Sequence, residues 1–144
     1  MRINGSWYRC NDGELRPVIQ GVAQAVDGTW VAARFLVDIG ADLTVFSADA
    51  LQELGLAPQG VFHPLSGVGG VAAAVVVPTA VRLFRDDGGD AVFRGQFQAF
   101  TDPTAIDMSV LGRNLLNEFA VVVDWPQKVV CLLNQRHSYV IVEQ

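Results

Sequence analysis

Residues 35–42 read FLVDIGAD, and the fold turns on how this stretch is parsed. Phe35-Leu36-Val37 is a short apolar run of the kind that forms a buried strand. An Asp-x-Gly tripeptide directly after it signals a tight turn, because Gly supplies backbone angles that other residues avoid. Parsed so, the turn holds Asp38 at the end of a strand. Ile39 is out of place there, since a β-branched apolar side chain is a poor choice for a turn that water can reach. Something has to cover it or pair with it.

Upstream, PVIQGVAQAV and TWVAARFLVD flank Asp27-Gly28. Two β-rich runs around an Asp-Gly pair predict a hairpin whose second arm delivers Asp38 to its turn. Residues 1–16 are mixed and turn-prone. Downstream, LTVFSADALQELGL changes period: Ser47 can cap a short helix, Phe46 and Leu51 can staple its start, and Gly55 can end it. VFHPLSGVGGVAAAVVV predicts a hairpin with a flexible glycine tip at residues 67–70, and TAVRLFRDDGGDAVFRGQFQAF predicts another around Asp86 to Asp90. The remainder reads as a strand, a short helix begun near Arg113, a hairpin turning at Pro126-Gln127, and a last strand in SYVIVEQ. No fixed-period repeat or linker interrupts the pattern, which predicts one mostly antiparallel all-β domain with one or two short helices.

The chain has 144 residues, enough for one domain that buries roughly 70% of its unfolded surface. Apolar residues make up 51% and charged ones 17%, which favours a compact β-rich fold over a disordered chain. A formal charge of −5 with no basic run argues against nucleic acid as a partner, because that binding rests on Lys and Arg neutralising phosphates. The apolar stretch from Val71 to Val81 is broken by Pro78 and falls far short of the ~20 residues of a membrane helix. With no apolar signal core in the first residues, the expectation is a cytoplasmic protein free of membrane, and the start at Met1 favours a complete short chain. Cys10 and Cys131 lie far apart and His63 and His137 lack ligand spacing, so no metal or cofactor is expected and the cysteines read as reduced structural thiols.

Three segments taken together resemble the retropepsins, the retroviral-type aspartic proteases. FLVDIGAD is similar to their ALVDTGAD loop, Gly67-Val68-Gly69-Gly70 to their flap tip, and VLGRNLL at residues 110–116 to their IIGRNLL segment. The order and approximate spacing agree over residues 17 to about 133, leaving 134–144 as a terminal strand at a dimer interface. The resemblance implies a single-lobe acid-protease fold, a closed β-barrel, working as a homodimer on extended polypeptide with one catalytic Asp38 per chain. It also implies that Gly40 and Ala41 support the catalytic loop, that Arg113 braces it through Asp42, that Asp42 receives the substrate main chain, and that residues 67–70 close over it. The remaining Asp-Gly pairs, Asp12-Gly13, Asp27-Gly28 and Asp87-Gly88, sit in polar turns and follow no buried strand.

Ile39 departs from the family pattern, which has Thr or Ser at this position. In the resemblance that hydroxyl hydrogen-bonds across the two-fold axis, and Ile has no hydroxyl to give. Two bonds are lost per dimer, each worth roughly 1 kcal/mol net and more where a partner is left buried and unpaired. Packing of paired Ile39 side chains and of the chain ends is the available compensation. Three functions follow: an aspartic endopeptidase, a catalytically impaired pseudo-protease that binds peptides or dimerises, and an unrelated β-barrel binding domain.

Overall fold

The computed structural model describes residues 2–67, 70–134, 140 and 142. In chain order the elements are β1 (Arg2–Asn4), β2 (Ser6–Arg9), β3 (Leu15–Gln24), β4 (Trp30–Val37), β5 (Val45–Phe46), α1 (Ala48–Leu54), β6 (Gln59–Gly67), β7 (Gly70–Phe84), β8 (Asp90–Phe100), β9 (Ser109–Leu111), α2 (Arg113–Leu116), β10 (Ala120–Asp124) and β11 (Val129–Leu133). The all-β expectation with two short helices holds.

Three hairpin loops are built to one plan. In each, the residue before the loop donates its N–H to the carbonyl four residues on and accepts from a glycine N–H: Cys10 with Glu14 and Gly13, Ala25 with Thr29 and Gly28, Arg85 with Gly89 and Gly88. The glycines stand at φ 86°, 87° and 87°, the left-handed region that closes a three-residue hairpin loop with a bulge. The Asp before each glycine accepts the N–H two residues further on, at 3.0 Å in all three loops. Asp12, Asp27 and Asp87 are thereby turn-builders, as their sequence setting predicts. Hydrogen bonds from Thr29 and Arg85 hold Asp27 and Asp87 below the usual carboxylate range, and Arg16 above all holds Asp12 down to about 2.

The strands form an eight-stranded sheet in the order β2-β3-β4-β9-β5-β8-β7-β6 and a three-stranded sheet β1-β11-β10. An additional pairing of Gly21–Ala23 on β3 with Val81–Leu83 on β7 curls the large sheet round on itself. The large sheet thus approaches the closed barrel expected from the sequence, with β2 and β6 as edge strands outside the circuit. Pro78 is tolerated in long β7 because it falls between the segment paired with β6, which ends at Val76, and the segment paired with β3, which begins at Val81.

Phe35, Phe46 and Phe97 pack in succession at the centre of the core, with ring centroids 5.8 and 5.7 Å apart. Val75, Val77, Val81 and Leu83 of β7, Ile19 of β3 and Leu111 of β9 surround them. Helix α1 follows its predicted signals: Ser47 accepts from the Ala50 N–H at 3.2 Å, and Gly55 ends the helix at φ 66°. Residues 1–16, read as turn-prone, instead contribute β1 and β2. The reason is non-local, since β1 pairs with β11 at the far end of the chain and buries Ile3 there. The expected terminal strand in SYVIVEQ lies largely outside the described residues, as do Val68 and Gly69 of the glycine tip.

Candidate active site

The Asp38 turn exists because β4 and β5 attach to opposite sides of one short strand. Parallel pairing sets Phe35, Leu36 and Val37 of β4 against Ser109, Val110 and Leu111 of β9, and β5 pairs antiparallel with β9 at Val45 and Val110. The chain must therefore leave β4 at Val37 and loop past the end of β9 before returning at Val45. Residues 38–44 are that loop, and residues 111–114 are what it wraps.

The wrap is stitched by hydrogen bonds from both sides. The Asp38 N–H donates to the Leu111 carbonyl at 3.2 Å, the Arg113 N–H to Ala41 at 2.8 Å and the Asn114 N–H to Asp42 at 3.1 Å. Thr44, only 1% exposed, donates its N–H and its hydroxyl to the Asn114 side-chain oxygen, each at 2.8 Å. The same hydroxyl accepts the Gly112 N–H at 3.0 Å. Gly112 is required for closeness alone: its φ is an ordinary −98°, but a Cβ there would land on the backbone of Leu43.

Within this frame the Asp38 carboxylate accepts the Gly40 N–H at 2.9 Å, and the Ala41 N–H closes the turn onto the Asp38 carbonyl at 3.2 Å. Asp38 is half-buried, whereas Gly40 and Asp42 are exposed. Arg113 at the start of α2 forms the predicted ion pair with Asp42. Both side chains of this pair are exposed, and the pair joins the outer side of the loop to the start of α2. Ile39 is 65% exposed and Leu43 38%, which makes the rim of the turn apolar. Gly67 and Gly70 pair across the β6–β7 hairpin.

The structure thus brings Asp38, Ile39, Gly40, Ala41, Asp42 and Arg113 into one unit. Thr44 and Asn114 belong to it as well, although the sequence reading gave them no role. Asn114 lies inside the quoted VLGRNLL segment, but its partner is 70 residues away and nothing local announces it. Among the described residues no group of three His, Cys, Asp or Glu side chains could hold a metal ion, and no helix is long and apolar enough to cross a membrane. Cys10 and Cys131 are both free and buried.

Two solved structures are similar to this one. A retropepsin-like aspartic protease from Rickettsia conorii matches with a TM-score of 0.56 and 21% identity, over 92% of this chain and 98% of that one. EIAV protease complexed with the inhibitor HBY-793 matches with a TM-score of 0.51 and 20% identity, over 71% of this chain and 86% of that one. No protein-family model matches the chain, and no curated protein sequence does. The fold is retropepsin-like.

Proposed function

We propose that the chain is an aspartic endopeptidase assembled as a homodimer, in which the Asp38 carboxylates of two copies activate one water against a peptide carbonyl. The observation that carries this reading is the Asp38 turn itself, one partly exposed carboxylate held where the paired strands β4 and β9 end within a retropepsin-like fold. A single carboxylate cannot both take and give a proton in one step. Two of them about 3 Å apart cannot both ionise, so the pair shares one proton and titrates as a unit.

The ionised member takes a proton from water as the oxygen attacks the carbonyl carbon, while the protonated member donates to the carbonyl oxygen. Collapse of the resulting gem-diol breaks the C–N bond: one hydroxyl returns its proton to the carboxylate that had donated, re-forming the carbonyl, and the proton taken from water passes to the leaving amine. In this reading Asp42, paired with Arg113, accepts main-chain N–H groups of an extended polypeptide, and the β6–β7 hairpin closes over that polypeptide. This chemistry calls on water and carboxylates alone.

A second reading is favoured by Ile39, which offers no hydroxyl to a neighbouring turn: the same fold binds extended peptides or dimerises without cutting. Cleavage of a diverse peptide mixture from about pH 4 to 7 separates the two. The expected result is hydrolysis by the chain as it stands and none by Asp38→Asn. Equal hydrolysis by both refutes the protease reading, while tight peptide binding without turnover, with cutting gained in Ile39→Thr, establishes the second.

A further inference from the structure

Phe35 and Val37 of β4 belong to the core, so Arg34 and Leu36 lie on the opposite face of the strand, the one that runs on to Asp38. The cross-strand register divides this face into rows. Gln20 stands beside Arg34, and Ser6, Val18, Leu36 and Val110 make the next row towards Asp38. Tyr8, paired with Arg16, stands one row further, level with Asp38.

Arg34 does not stay in its own row. Its guanidinium carbon lies 3.7 Å from the centre of the Tyr8 ring, so its stem crosses the sheet past Val18 in the direction of Asp38. Val18 is fully buried yet packs outside the core cluster, as a residue roofed by that stem should. Stacking on an aromatic ring fixes a guanidinium in place and leaves its edges to bond. Here Nε is buried without a hydrogen-bond partner, and among the described residues no carboxylate pairs with Arg34. The two Nη groups are the side left to a ligand. Neighbouring cations are already matched, Arg16 by Asp12 and Arg113 by Asp42. A positioned guanidinium of this kind suits one carboxylate, which it can grip with two parallel N–H bonds.

We propose that the Arg34–Tyr8 stack receives an Asp or Glu side chain of the polypeptide bound at Asp38. This rests on the reading of Asp38 as the cutting site and adds a sequence preference to it. Strand β2 lies two strand spacings from β4, about 10 Å, and an extended polypeptide advances about 3.4 Å per residue. The acidic residue therefore falls about two to four positions from the bond that is cut. Arg34 meets the polypeptide away from that bond, so it acts on binding and not on the chemical step.

Peptides blocked at both ends, with Glu, Gln or Lys walked through up to about four positions on each side of one cleavable bond, test this. In the wild type, Glu in place of Gln should lower KM about tenfold at one position and leave kcat alone, as one charge-assisted hydrogen bond would. Arg34→Lys should keep part of that preference, Arg34→Gln should lose it, and Arg34→Glu should turn it towards Lys. A merely loosened fold raises KM for all three peptides alike. Fluorescence anisotropy in the Asp38→Asn background reads the same preference without turnover. Equal cleavage and equal binding of the Glu, Gln and Lys peptides, with Arg34 or with Glu in its place, overturn the recognition point and leave the Asp38 reading standing. Arg34-dependent binding of the Glu peptide by a chain that cuts nothing upholds the recognition point and overturns the cutting site. A chain that neither cuts nor binds any of them overturns both.

Discussion

Replacing Gly112 with Ala isolates the contact on which the loop geometry rests. A Cβ at this position would clash with the carbonyl carbon and oxygen of Leu43 and lie 2.9 Å from its nitrogen. All three are backbone atoms, so no rotamer change relieves the overlap and the 38–44 loop has to move. Overpacking of this kind costs about 1–3 kcal/mol, and an immovable backbone puts Gly112→Ala towards the upper end. The loss of unfolded-state freedom on Gly→Ala returns about 0.4–1 kcal/mol. The net expectation is about 1–2.5 kcal/mol of destabilisation, or roughly 3–8 °C in Tm for a chain of this size.

Gly95 is the matched control, lying in β8 with nothing within 4 Å of the added Cβ. Gly95→Ala should be neutral or slightly stabilising. The assay is urea and thermal denaturation of both variants at one low protein concentration, followed by peptide hydrolysis on each at a high one that favours the pair. A displacement of about 1 Å at a reacting group costs on the order of 10²-fold in rate, so activity should fall further than stability in Gly112→Ala. If the two variants unfold together and hydrolyse alike, the close approach of Gly112 to Leu43 does not position the Asp38 turn.

Thr44→Val keeps the shape of a buried side chain while removing the hydroxyl that joins Asn114 to the Gly112 N–H. About 1–3 kcal/mol should be lost in denaturant unfolding, with Thr44→Ser retaining most of it, and a Val variant as stable as wild type would show the hydroxyl to be idle. Away from the site, Asp12 is held down to about 2, first by the Arg16 side chain and then by the Glu14 N–H. A folded-state pKa below the unfolded value contributes stability that is complete above about pH 4 and fades as pH falls through about 2. Carboxyl titration by NMR should place Asp12 near 2 and move it up towards 3.8 in Arg16→Gln; titration near 3.8 in the wild type would refute the pairing.

What the sequence made legible was whatever is encoded within a few residues. The Asp-Gly loops, the Ser47 cap and the Gly55 stop are local chemistry, and each appears where it was read. The pairing of Arg113 with Asp42 was legible by resemblance alone, since 71 residues separate the partners. Strand β1 was not legible: Arg-Ile-Asn carries a single apolar residue and becomes a strand only because Ile3 meets Leu132 across β11. Strand β5 was hidden for a similar reason, as two residues between a turn and a helix show no period. Thr44 and Asn114 went unread because a side-chain bond across the fold leaves no trace in spacing.

The division between local and distant information also explains how an isoleucine can occupy a turn that favours polar residues. A turn held mainly by its neighbour across the axis would depend on residue 39 for its shape, and losing a hydroxyl there would loosen the carboxylate itself. Here Leu111, Arg113 and Asn114 hold the loop from below, and the Gly40 N–H holds the carboxylate from within the same turn. Residue 39 is thereby relieved of positioning Asp38 and left with the surface it presents. Rigidity belongs to the single copy, while the proposed chemistry belongs to the pair. A substitution beneath the loop should therefore change the rate of the proposed chemistry by moving the carboxylate itself.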